Sequence, residues 1–164
     1  MRYALVFAFL AIVALFVQTA LLPWFLPQRT SVDLLLVFAV HLALRHPSVG
    51  GTAAAFCLGY LQDAVSGTLA GLNAASMLAV YLVVYRSSRH LWIDNVVSQV
   101  VVVFLAGWVK IGVSLLALAW FQGQEDWLRL AHTFLLSTCL TALVAPFVFR
   151  VLRLAHELLV NEEE

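Results

Sequence analysis

Three ionisable side chains stand inside long apolar stretches of the chain: Asp33, Asp63 and Lys110. A bare charge at mid-membrane costs at least ~2.5–3.5 kcal/mol on insertion scales, so each group needs a partner or a function. The chemistry open to them is a buried ion pair, a proton site or an ion site. Lys110 lies too deep to reach water easily, and both carboxylates are candidate partners for its ammonium group.

A structural role for Asp63 competes with a transport role. Its carboxylate could accept hydrogen bonds from the turn at residues 66–68, or from the start of a helix near Asn73. A proton or ion pathway usually needs a relay of several ionisable groups. Since Asp63 has no such relay beside it, the sequence favours a structural carboxylate that fixes a helical hairpin. Pairing of Asp63 with Lys110 is an additional hypothesis, with Asp33 as the other candidate partner.

Small residues surround Asp63 at intervals of four, and this spacing forms one stripe on a helix: Gly51, Ala55, Gly59, Gly67 and Gly71. Such a stripe lets helix backbones approach closely, so we expect its glycines to face other helices. The alternative is that these glycines mostly build the tight turn between two helices. Turn and packing roles together are favoured over a ligand-binding role.

The composition indicates the medium around these residues. Of the 164 residues, 63% are hydrophobic and 11% are charged, whereas soluble domains are about 25% charged. The formal net charge is zero, which gives no basic field for nucleic acid. No nucleotide-binding loop, zinc-protease motif or Cys/His ligand cluster is present, so no catalytic residue, cofactor or metal site is predicted.

The apolar residues gather into six runs, which predict an all-α integral membrane protein with six transmembrane helices in one compact bundle. We expect one membrane domain over residues 1–155 and a short acidic cytoplasmic tail over 156–164. The predicted spans are residues 3–22, 32–44, 49–65, 69–85, 95–120 and 130–152.

The second run is too short to cross a bilayer alone, since 13 residues rise only ~20 Å as a helix. It could borrow its flanks, be buried among other helices, or lie where the bilayer thins. A five-span protein with a re-entrant second segment is the alternative.

Arginine placement predicts the orientation. With both termini in the cytoplasm, six arginines lie on the inner side, and Arg29 and Arg129 lie on the outer side. The six inner arginines are Arg2, Arg45, Arg86, Arg89, Arg150 and Arg153.

The segment "GGTAAAFCLGYLQDAVSGTLAGLNAASM" resembles the rod shape-determining protein MreD family. The resemblance rests on a glycine-bearing third span, then G-x-x-x-D-x-x-S-G, then G-x-N leading into the fourth span. Those positions are Gly59, Asp63, Ser66, Gly67, Gly71 and Asn73. The segment "SVDLLLVFAVHLAL", which contains Asp33, is similar to the family's second span, although Pro27 stands farther from Asp33 than the family pattern suggests.

The resemblance implies a non-enzymatic scaffold of the bacterial cell-elongation complex in the cytoplasmic (inner) membrane. It implies binding to MreC, looser association with the MreB filament, RodA and a class B penicillin-binding protein, and a role in organising peptidoglycan synthesis. It also implies a fold similar to the substrate-binding membrane subunits of energy-coupling-factor transporters. The alternative function is therefore a membrane subunit that binds a vitamin-like small molecule, which the short predicted outer loops disfavour.

Overall fold

The computed structural model describes residues 2–25, 32–45, 48–67, 71–88, 95–121 and 127–161. All elements in these ranges are helical, and six of the helices have twelve residues or more. The helices are α1 (Arg2–Phe16), a π-helical turn (Val17–Leu21), α2 (Leu22–Phe25), α3 (Leu34–Arg45), α4 (Val49–Ser66), α5 (Leu72–Ser88), α6 (Val96–Phe121) and α7 (Trp127–Asn161).

The predicted apolar runs coincide with these helices to within a few residues at most ends. The largest difference is in α7, which has 35 residues and continues to Asn161 through Pro146. At 1.5 Å per residue, a helix of this length rises ~50 Å, which exceeds the ~30 Å of hydrocarbon. Part of α7 therefore lies outside any hydrocarbon layer that the helix crosses. The acidic end of the predicted tail, residues 162–164, lies outside the described residues.

The first helical run is continuous but widens at Val17–Leu21, where the amide of Leu22 bonds to the carbonyl of Val17. Pro23 follows this turn, and proline has no amide hydrogen to donate to the preceding turn of a helix. A π-helical turn accommodates such a break without ending the helix. It also places Gln18 where its side chain reaches the start of α3.

The short helix α3 is the centre of the bundle. Its residues from Leu34 to Ala43 are all buried, and it packs against α1, α4, α5, α6 and α7. Because other helices surround α3, most of its surface does not face lipid. Its length therefore does not have to equal the thickness of the hydrocarbon layer. Of the three explanations for the short second run, burial among other helices describes the structure.

The other helices present apolar side chains outward. Among the described residues, two segments are long and apolar enough to cross a membrane, Val96–Ala117 and Leu135–Ala155, and only 33% of the most apolar stretch of each is buried inside the protein. Large exposed apolar side chains line α1 at helical spacing, including Leu5, Phe9 and Ile12. An apolar surface of this extent marks contact with lipid or with another protein.

Candidate functional site

The carboxylate of Asp63 is buried and accepts four hydrogen bonds from the start of α5. Its Oδ1 accepts from the backbone amide and from the side-chain amide of Asn73, both at 3.0 Å. Its Oδ2 accepts from the amides of Gly71 and Ala74, at 3.0 and 3.1 Å. The first amides of a helix have no partner within that helix, so Asp63 caps α5 from the end of α4. The predicted hairpin-fixing carboxylate is present in the structure.

Gly59 lets α4 and α5 approach closely, and this close approach brings the Asp63 carboxylate within reach of the first amides of α5. A Cβ at position 59 would lie 2.5 Å from the Cα of Ala74 and 2.5 Å from the carbonyl oxygen of Asn73. Both of these are backbone atoms, which cannot turn aside as a flexible side chain can. Gly51 and Ala55 are also buried on this helix, so the small-residue stripe faces other helices as far as Asp63.

Beyond Asp63, the predicted stripe is wrong. Gly67 ends α4 in the left-handed region with φ +62°, and Gly71 has φ +92°. A Cβ at either position would meet nothing within 4 Å, so these glycines are not packed against a helix. They serve the turn, where only glycine adopts positive φ without strain. The formal Gly67-to-Gly71 helix-packing motif is therefore a turn motif.

Lys110 on α6 is ion-paired with Asp33, and not with Asp63 as the sequence suggested. Its ammonium contacts Asp33 Oδ2 and also donates to Gln62 Oε1 at 3.1 Å. Gln62 Nε2 in turn donates to Asp33 Oδ1 at 3.4 Å. Asp33 and Lys110 are each 14% exposed, so the pair is largely shielded. We call Asp33, Gln62 and Lys110 the core triad.

Asp33 is also the N-cap of α3, since its Oδ1 accepts from the amide of Leu36 at 3.1 Å. Side chains from other helices support the same helix start. Thr141 Oγ1 accepts from the amide of Asp33 at 2.9 Å, and Gln18 Oε1 accepts from the amide of Leu34 at 3.0 Å. The core triad and its supports therefore join α3, α4, α6, α7 and the π-helical turn.

Sequence reasoning missed Gln18, Gln62 and Thr141. Each is a polar residue within an apolar run, which is itself a signal because such groups seek partners between helices. Gly107 was also missed. A Cβ there would lie 2.3 Å from Cγ2 of Thr138, so Gly107 sets the close crossing of α6 and α7.

Other polar side chains are buried among the described residues. They include His41, Ser76, Gln99 and Ser114. The His41 ring packs against the Phe149 ring with centroids 5.3 Å apart. Tyr81 joins α5 to the start of α4. Its hydroxyl donates to the carbonyl of Ser48, the N-cap residue of α4, and accepts from the amide of the same residue. Among the described residues, no group of three or more His, Cys, Asp or Glu residues could hold a metal ion.

The sequence resemblance rests on two features that are neighbours in the structure. One is the hairpin of α4 and α5, with Gly59 and the Asp63 cap, and the other is α3, whose N-cap is Asp33. Residues 1–155 match the family described as rod shape-determining protein MreD. The chain belongs to the MreD family. The comparisons with curated proteins and with solved structures give no match to it.

Membership in the MreD family gives the geometry a biological setting. The family is one of shape-determining membrane proteins, and the apolar helices of this chain fit a membrane protein. Nearly the whole described bundle falls within the matched residues, so the Asp63 cap and the core triad are both parts of the MreD-like region.

Proposed function

We propose that this chain is a non-enzymatic scaffold of the bacterial cell-elongation complex, embedded in the cytoplasmic membrane with both termini in the cytoplasm. MreC is its proposed direct partner, and the MreB filament, RodA and a class B penicillin-binding protein are looser ones. Through these contacts it would help organise peptidoglycan synthesis along the side wall. The six long helices would each cross or enter the membrane.

The observation that carries the proposal is how the buried ionisable groups are used. Asp63 accepts four hydrogen bonds from the start of α5, and Lys110 bonds to Asp33 and Gln62 on two other helices. A catalytic or transport site would keep such groups directed at a substrate or an ion path. Here they connect helices, which is the use expected of a rigid structural element.

Rigidity suits a scaffold because a partner then binds without ordering the bundle first. The central α3 is held at its start by contacts from four other segments, and α4 is held at both ends by Ser48 and Gly67. The large outward apolar surfaces of α1, α6 and α7 are available to lipid and to partner helices.

The test is capture of MreC by the affinity-tagged chain from membranes dissolved in a mild detergent. We expect MreC to co-purify in comparable amount, and an unrelated tagged membrane protein of similar size to retain none. A second arm places the gene in a rod-shaped bacterium depleted of its own MreD. Restored rod shape supports the proposal, whereas round cells together with absent MreC capture would contradict it.

The same purified protein distinguishes the small-molecule alternative. Native mass spectrometry of the detergent-released chain should show the bare protein mass and lipid adducts. A constant extra mass of a vitamin-sized compound, held in the absence of MreC, would instead support a ligand-binding subunit.

A further inference from the structure

The packing of α3 against α7 brings one arginine from each helix to the end of the bundle where α3 stops. Helices α3 and α7 run parallel, because Asp33 contacts Thr141 and, farther along both helices, His41 contacts Phe149. The two pairs have the same separation of 108 positions, so the register between the helices is constant over this length. Neighbouring helix axes lie ~8–10 Å apart.

Arg45 and Arg153 are the next pair in this register, because they too are separated by 108 positions. Arg45 follows His41 by one helical turn and is the last residue of α3. Arg153 follows Phe149 by one turn on the same stripe of α7. Both side chains are exposed, while Leu152 beside Arg153 is buried. The two guanidinium groups therefore emerge from adjacent helices at one depth.

No carboxylate among the described side chains pairs with either arginine, since the ion pair found there is the one between Lys110 and Asp33. Glu157, the next acidic residue along α7, stands one turn beyond Arg153, and its side chain lies outside those that the structure describes. Two adjacent guanidinium groups repel each other unless an anion lies between them. Guanidinium groups bind phosphate oxygens through paired hydrogen bonds, which makes phosphate the matching ligand.

The apolar surroundings select a lipid phosphate over a free one. Helix α7 exposes Leu143, Phe147 and Leu154 along one side, next to the level of Arg153. Acyl chains can pack along this side while the headgroup stays at the level of the arginines. Basic side chains near a membrane surface favour the binding of anionic lipid.

We propose that Arg45 and Arg153 together form a binding site for the phosphate group of an anionic phospholipid in the cytoplasmic leaflet. The proposal rests on the membrane placement proposed above, but not on MreC binding. A lipid held there would cover the exposed end of α3 and tie the central helix to the inner membrane surface.

The test is lipid binding to the full chain, purified in detergent and titrated with phosphatidylglycerol while native mass spectrometry counts lipid adducts. We expect tighter binding of phosphatidylglycerol than of phosphatidylethanolamine. The double variant R45Q/R153Q should bind phosphatidylglycerol about thirtyfold more weakly. The matched control is R86Q/R89Q, which removes the same charge from two arginines at the end of α5 and in the connection after it, on the same predicted side of the membrane, and should bind nearly as the unchanged chain does.

Equal weakening by both double variants would overturn the site and indicate diffuse charge attraction. Displacement of phosphatidylglycerol by millimolar inorganic phosphate would overturn the lipid assignment in favour of a free phosphate. Arg45, Arg86 and Arg153 are exposed, and the thermal unfolding midpoint of each variant should equal that of the unchanged chain. MreC capture by R45Q/R153Q is measured separately. If this variant still captures MreC but no longer prefers phosphatidylglycerol, the lipid site is independent of the scaffold function.

Discussion

Lys110 and Asp33 are separated by 77 positions in the chain, yet their side chains form an ion pair at the start of α3. Asp33 does two things at once, because one carboxylate oxygen contacts the ammonium and the other caps α3. The pair therefore couples the position of α6 to the start of the central helix. Loss of either side chain should affect more than one helix.

Removing one member of this pair should destabilise the protein strongly. Breaking a buried ion pair typically costs ~3–5 kcal/mol, because the remaining charge is stranded. We expect Lys110→Met and Asp33→Asn each to lower the free energy of unfolding in detergent, and the double variant to lose less than the sum. Asparagine is also a good N-cap, so Asp33→Asn tests the charge more than the cap.

The same double-mutant cycle separates the two carboxylates. The coupling energy between Lys110→Met and Asp33→Asn should clearly exceed the coupling between Lys110→Met and Asp63→Asn. The reason is that Lys110 bonds to Asp33 and Gln62 and makes no ion pair with Asp63. A larger coupling with Asp63 would show that the pairing described here is wrong.

Asp63→Asn should destabilise the hairpin of α4 and α5. Asparagine has one side-chain oxygen in place of two. Either the amides of Gly71 and Ala74, or the two amides of Asn73, therefore lose their acceptor. A buried unpaired donor costs ~1–3 kcal/mol. Asn73→Ala, which removes one side-chain bond of the four, is the graded comparison and should cost less. Thermal unfolding in detergent measures both, and equal losses would contradict the cap.

Gly59→Ala should be poorly tolerated, since its Cβ would lie 2.5 Å from backbone atoms of α5. Overpacking of this kind typically costs ~1–3 kcal/mol. The matched control is Gly112→Ala, also inside a helix, where a Cβ would meet nothing within 4 Å. Alanine is a better helix former than glycine, so the control should be neutral or slightly stabilising. Similar losses in both variants would contradict the close approach of α4 and α5.

The arginine distribution predicts the orientation, and single cysteines can test it. Cys57 and Cys139 are free and exposed, so both are first replaced by alanine. Cysteines are then placed at Arg89 and Gln124, which lie outside the described residues, in the connections after α5 and α6. A membrane-impermeant thiol reagent applied to whole cells should label position 124 and not position 89. Labelling of position 89 from outside would reverse the proposed topology.

Several features of this protein follow from the sequence alone. Runs of apolar residues are local, and they predicted the helices and the medium around them. The cap by Asp63 was also predictable, because the carboxylate, the glycine turn and Asn73 lie within eleven positions. Such short-range features depend on turn chemistry, which neighbouring residues largely determine.

The tertiary structure decided what depends on how helices are rotated and ordered in space. It placed Asp33, and not Asp63, beside Lys110, and it brought Gln18, Gln62 and Thr141 to the same helix start. It also made α3, the shortest of the six longer helices, the most buried one. Hydropathy along the chain carries no information about which faces of distant helices meet, because lipid and protein interiors are equally apolar.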